Sequence, residues 1–140
     1  MRLEKTSDLL RREVYFRDIK LGVPVDALFD APLARLLGVD VRCGDGGHRF
    51  LPFGACDVAD DRIRVDSALV LTDGGFYRQR GRALSELRGA VIRERGEERG
   101  RLEDVLVEPD GSVSAFEADG ARVPAGPTIS VGGEPLRAAV

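Results

Sequence analysis

Apolar and polar residues alternate with a period of two through much of the chain. In "GRLEDVLVEPDG", beginning at Gly100, the side chains of Leu102, Val105 and Val107 fall on or near one side. In "SVSAFEADGARV", beginning at Ser112, Val113, Ala115 and Glu117 share one face and Phe116 takes the other. Runs of this kind, closed by Asp-Gly or Gly-Gly, predict short antiparallel strands joined by tight turns. The pairs Asp45-Gly46, Asp110-Gly111 and Asp119-Gly120 supply the positive-φ positions that hairpins need. "DDRIRVDS", from Asp60, predicts one more strand, with Ile63 and Val65 on one face. Two segments break the alternation. "RALSELRGAVIRER" places Leu84, Leu87 and Val91 at helical spacing, and "SDLLRREV" does the same with Leu9, Leu10 and Glu13. Ser85 and Ser7 suit N-caps, whereas Gly89 and Gly96 each cost a helix roughly 1 kcal/mol relative to Ala. The spacing therefore predicts a single helical turn over Ser85–Leu87 that leads into a strand over Ala90–Arg93. A turn from Ser7 leads likewise into a strand through Val14–Phe16.

The same plan is written twice. "GVPVDALFDAP", from Gly22, and "GRLEDVLVEPDG" share a Gly, an Asp four residues on, and then Leu, an apolar residue and an acid. This sets Asp26-Ala27-Leu28-Phe29-Asp30 against Asp104-Val105-Leu106-Val107-Glu108 at an offset of about 78 residues. "SDLLRREVY" lies against "SELRGAVI" with one residue slipped, and the charged stretches "FRDIKLG" and "RERGEERG" follow in turn. Both copies then reach a turn and an apolar alternation, "LLGVDVRCGDGGHRFLP" in the first and "SVSAFEADGARVP" in the second, which is shorter by about four residues. The sequence thus divides into a first copy over residues 1–72, a linker over 73–82 and a second copy over 83–140. The linker lies in "LTDGGFYRQRG", which has three glycines and little alternation. Two such small units should pack together, because each alone offers too little core.

These phrases resemble the PRC-barrel family, whose pattern is a short Leu-x-Gly-x-x-Val start, Gly-x-Val-x-Asp-Val, two more apolar residues, an acid, a turn and an apolar strand. The second copy is similar over Ser85–Pro124, and the first, more loosely, over Leu10–Asp66. "HRFLPFGACDVADDRIRVDS" is similar to the family's closing part. Arg12 stands where an early Gly is expected, Glu103 where Val is expected, and the second copy shows no clear final strand beyond "TISV". The resemblance implies an all-β fold: two small barrels of about six short strands each, with short helical turns, packed as an intramolecular pair. It implies no catalysis and a role in binding or adaptation, as in the cytoplasmic domain of the photosynthetic reaction-centre H subunit and the C-terminal domain of a ribosome maturation factor. That factor needs an unrelated N-terminal domain, which a repeated first half does not supply.

Composition narrows the function classes. The 140 residues are 43% hydrophobic and 32% charged, ordinary for a globular chain, with a net charge of −3 that gives no global pull towards nucleic acid or anionic membranes. Six Phe, two Tyr and no Trp make a poor inventory for base stacking. The N-terminus "MRLEKTSDLLRREV" has no apolar run of secretory type, and no stretch reaches the roughly 20 apolar residues that cross a bilayer. The expectation is a cytoplasmic protein with its two cysteines reduced.

Candidate chemistry is sparse. Any Ser-His-Asp set has to run through the single histidine, His48, in the Gly-rich turn "CGDGGHRF". Asp26, Asp30, Asp104 and Glu108 recur at strand ends, where an acid serves turn amides rather than proton transfer. Cys43, His48 and Cys56 have a spacing unlike structural zinc sites, and a Cys43–Cys56 disulfide requires neighbouring strands. The Gly-rich segments lack phosphate-loop spacing. "RERGEERGR" interleaves Arg93, Arg95, Arg99 and Arg101 with three Glu and reads as a solvated hairpin. "GGFYRQRGR" sets Phe76 and Tyr77 beside Arg78, Arg80 and Arg82 with no acid among them. Aromatic plus Arg suits a protein interface or single-stranded RNA, although Phe76 also suits packing between the copies. The expectation is a non-catalytic adaptor with a protein partner, no enzyme activity and no cofactor. The alternative is an RNA- or ribosome-associated protein using these arginines, and open barrel edges offer a route to homo-oligomers.

Overall fold

A computed structural model describes residues 3–132. The chain begins with β1 (Glu4–Lys5), a helical turn α1 (Thr6–Leu9), β2 (Glu13–Phe16) and the long β3 (Ile19–Phe29). It continues through β4 (Leu36–Cys43), β5 (His48–Pro52), β6 (Asp57–Val58) and β7 (Arg62–Arg64), with 3-10 turns at Phe53–Ala55 and Ala68–Val70. A short helix, α2 (Gly75–Arg80), leads to β8 (Arg82–Ala83) and a second helical turn, α3 (Leu84–Leu87). The remainder comprises β9 (Val91–Glu94), β10 (Glu97–Val107), β11 (Val113–Ala118), β12 (Ala121–Pro124) and β13 (Ile129–Val131). The fold is all-β with short helical turns, as the alternation predicts. It forms two sheets, of seven and six strands, one of them a half-barrel.

β1, α1, β2 and β3 recur as β8, α3, β9 and β10, each beginning and ending 78 positions later. The backbone keeps the same step: Arg17 and Arg95 both take positive φ, at 55° and 52°, and Leu33 is matched by Gly111, at 58° and 91°. The one-residue slip read from the sequence is therefore absent at Ser7 and Ser85. It enters after Leu33, where β4 and β11 begin. Ser7 and Ser85 are not the N-caps either. Lys5 and Ala83 hold those extended positions, and the serines lie inside the turns.

The two sheets exchange their first elements. β1 pairs with β10 of the second sheet (Glu4 with Val107, Lys5 with Leu106), and β8 pairs with β3 of the first (Leu28 with Ala83, Phe29 with Arg82). The start of the chain, assigned from the sequence to the first copy, thus adds to the second sheet. Segment 73–82, read as a linker, carries α2 and the start of β8. Closure also differs. After β5 the chain makes an extra hairpin, β6–β7, which reverses its direction, so β7 lies parallel to β2. The second half has no counterpart of β6, and β13 returns antiparallel to β9. The expectation of purely antiparallel strands fails at that one pair.

One continuous core spans both halves, with Leu9, Phe29, Val39, Leu84, Ile92, Leu102, Phe116 and Val131 all in it. Two sheets that share buried surface in this way gain the burial that neither has alone. Gly38 in β4 admits Phe50 and Leu51 so closely that a Cβ would lie 2.2 Å from the Leu51 carbonyl oxygen. Among the described residues no helix is long and apolar enough to cross a membrane.

Candidate partner-binding surface

Six residues, "GFYRQR", make α2, bounded by Gly74 and Gly81. A helix this short does not hold in isolation, so its order comes from what it touches. The Tyr77 ring stacks on Phe50, with centroids 4.4 Å apart. Gly74 is packed against Phe50, where a Cβ would come within 2.5 Å. The Arg78 guanidinium forms a forked ion pair with Asp40 of β4. That hydrogen bond pushes Arg78 above its already high ordinary pKa.

Pinned on its inner side, α2 turns Phe76 outwards. Phe76 is 62% exposed, so it does not fill a gap between the halves. Arg80 lies over its ring, with the guanidinium carbon 3.9 Å from the centroid. Tyr77 meets the ring edge-on at 5.4 Å. The segment before α2 adds Leu69, 89% exposed on the 3-10 turn Ala68–Val70. The alternation gave no reason to single out Leu69, because "ALVL" reads as the end of a strand.

The other arginines lie elsewhere and are largely engaged. Arg93 sits on β9 opposite Glu98 and Ser130, and Arg95 occupies the left-handed turn into β10. Arg99 pairs with Glu94, and Arg101 donates to the Gly89 carbonyl at 2.9 Å. Arg82 lies on β8, and its guanidinium donates to the Val131 carbonyl at 3.2 Å. The nine candidate residues thus fall in three places: α2, the β9–β10 hairpin and the seam at β8.

The repeated acids serve amides. Asp104 accepts from the Ser7 amide at 3.1 Å, from the Ser7 hydroxyl and from the Val105 amide at 2.9 Å. Asp26 makes the same set with Ser85 and Ala27, its hydroxyl contact at 2.5 Å. Each carboxylate therefore caps the helical turn supplied by the other half. Asp30 accepts from the Ala34 and Arg35 amides.

His48 is exposed at the start of β5. Cys43 and Cys56 are both free thiols. Among the described residues no three His, Cys, Asp or Glu side chains are grouped to hold a metal ion. Burial pushes the Cys56 thiol up to about 12. At pH 8 only roughly one part in ten thousand of it is thiolate, the nucleophilic form. Iodoacetamide at pH 8 should therefore label Cys56 orders of magnitude more slowly than it labels the same residue in urea. Equal rates in the folded and unfolded protein would show that the thiol is not buried.

The family model of the PRC-barrel domain matches residues 1–78. The chain belongs to the PRC-barrel family. The matched stretch is the first half, whereas the motif reads more clearly by eye over Ser85–Pro124. In PRC-barrel terms the match covers the whole first sheet through β7, together with most of α2. No curated protein matches the chain.

Proposed function

We propose that this PRC-barrel protein is a non-catalytic adaptor of the cytosol that docks a protein partner on α2, and that its second half is a second PRC-barrel copy fused to the first. The second part of the reading draws on the 78-residue step shared by four consecutive elements of each half. The observation that carries the first part is Phe76, exposed on a helix pinned from below and covered by Arg80. Aromatic and Arg side chains are enriched where protein interfaces concentrate their binding energy. A knob that is already ordered loses little conformational entropy on docking. The RNA reading has less behind it. Arg78 is committed to Asp40 and Arg99 to Glu94, Arg80 occupies a face of Phe76, and Glu97 and Glu98 flank the hairpin. Few unpaired cations are left for phosphates.

The test is in-cell photo-crosslinking with benzoylphenylalanine in place of Phe76. The expected result is a discrete protein adduct that survives nuclease and is lost when Arg80→Ala is added. Phe76→Ala should leave stability within about 0.5 kcal/mol of the parent, since the ring buries little in the free protein. An adduct that collapses on nuclease treatment would move RNA to first place. The absence of any adduct would reject α2 as the docking element.

A further inference from the structure

The step of 78 residues relates two grooves between the halves, and their chemistry has diverged. The first groove, about 450 Å³, is walled by Pro32 and Leu33 of the first half and by Phe116, Pro127 and Ile129 of the second, with Arg82 in its lining. The second groove, about 330 Å³, has Glu4 at the position equivalent to Arg82, beside Val107 and Pro109. In the second groove Glu4 is neutralised by Arg12 at 2.8 Å. The residue equivalent to Arg12, 78 positions on, is Ala90. Ala90 and the Arg82 guanidinium both approach Gly132, at 3.8 and 3.4 Å from where its Cβ would stand. The duplicated ion pair has therefore been lost on this side. Among the described residues, half-buried Arg82 keeps a single hydrogen bond, to the Val131 carbonyl, and no ion pair.

A guanidinium among apolar walls with no counter-ion favours any anion that can reach it, because the pair forms where water is partly excluded. The volume lies in the range of small-ligand sites, which combine apolar walls with a few placed polar groups. We propose that this groove binds an apolar monocarboxylate, with its carboxylate on Arg82 and its hydrocarbon body against Leu33, Phe116 and Ile129. The Glu4 groove, with its cation already paired and Glu108 in its lining, rejects the same ligand. The proposal does not depend on the α2 surface, since Arg82 lies at a different place in the fold.

The test is an amide-resolved NMR titration of the full chain with octanoate, with octanamide, and with an acetylated peptide ending in a free leucine carboxylate. Octanoate should shift the amides of Leu33, Val131 and Gly132 in a saturable way and leave Val107 and Glu108 unmoved. Octanamide should bind about tenfold more weakly or worse, reflecting the lost charge-assisted pair. Arg82→Met should bring octanoate down to the octanamide level, and Ala125→Leu, which narrows the groove without touching Arg82, should weaken both. Native dispersion of the amide signals in each variant separates loss of the site from loss of the fold. Saturable binding of the peptide alone, at the same amides, supports the site and assigns the carboxylate to a chain terminus. Equal affinities for octanoate and octanamide, shifts centred on the Glu4 groove, or no saturable shift with either carboxylate would overturn the proposal.

Discussion

Phe29→Ala should destabilise the whole protein by about 3–5 kcal/mol, the usual cost of emptying a buried aromatic site. Phe29 has no exposed surface. It stands at the end of β3, opposite Leu36 of β4 on one side and Arg82 of β8 on the other. The cavity would open where the segment donated by the second half joins the first sheet. With total stabilities of such domains near 5–15 kcal/mol, the variant should be marginal. The two halves should also unfold together, because their core is continuous. Urea denaturation followed by amide signals of Val14 in the first half and Ile92 in the second checks both points. The expected result is one shared midpoint, shifted well below the parent. A loss under about 1 kcal/mol, or Ile92 staying native while Val14 unfolds, would show that the halves are independent units.

The second large effect concerns the paired carboxylates. Asp104→Ala should cost about 2–3 kcal/mol, since it strands two amides and a hydroxyl that a charged acceptor now satisfies. Asp104 is only 5% exposed. Asp26→Ala removes the same three bonds at a half-buried site, where water takes over part of the work, and should cost about 1 kcal/mol. Asp104→Asn, which keeps one carbonyl acceptor, should fall between. Thermal and urea unfolding of the three variants provide the comparison. Equal losses for Asp26→Ala and Asp104→Ala would mean that burial does not set the value of these caps. Losses below about 0.5 kcal/mol for both would mean that the exchanged turns do not need them.

The elements that were legible in the sequence are those whose stability is local. Period-two alternation located β10, β11 and β7, and Asp119-Gly120, with φ of 51° and 81°, is the two-residue hairpin turn its sequence predicts. The turns α1 and α3, and the strands after them, followed from Leu spacing interrupted by Gly. The repeat was legible because the same physical requirements were met twice with similar residues. The role of its acids was legible only in kind. That Asp26 and Asp104 serve amides follows from where they stand in the phrase, but that the amides belong to the opposite half does not.

What the chain alone determined, then, is the strand inventory, the repeat and the family. Alternation, turn chemistry and spacing are properties of neighbouring residues. Tertiary structure decided everything that depends on which partner a strand edge finds. Glu4–Lys5 and Arg82–Ala83 are too short to specify a sheet by pattern, and they add to the opposite sheet because Ser7 and Ser85 are captured there by Asp104 and Asp26. Helix α2 has two glycines before it and too few residues to persist alone. It exists because Phe50 and Asp40 hold Tyr77 and Arg78, and only that contact turns Phe76 towards solvent. Arg82 reads in the sequence as one more member of an Arg-rich run. The exchange of strands places it in a groove whose counter-ion, present at Glu4 and Arg12 on the other side, has been lost.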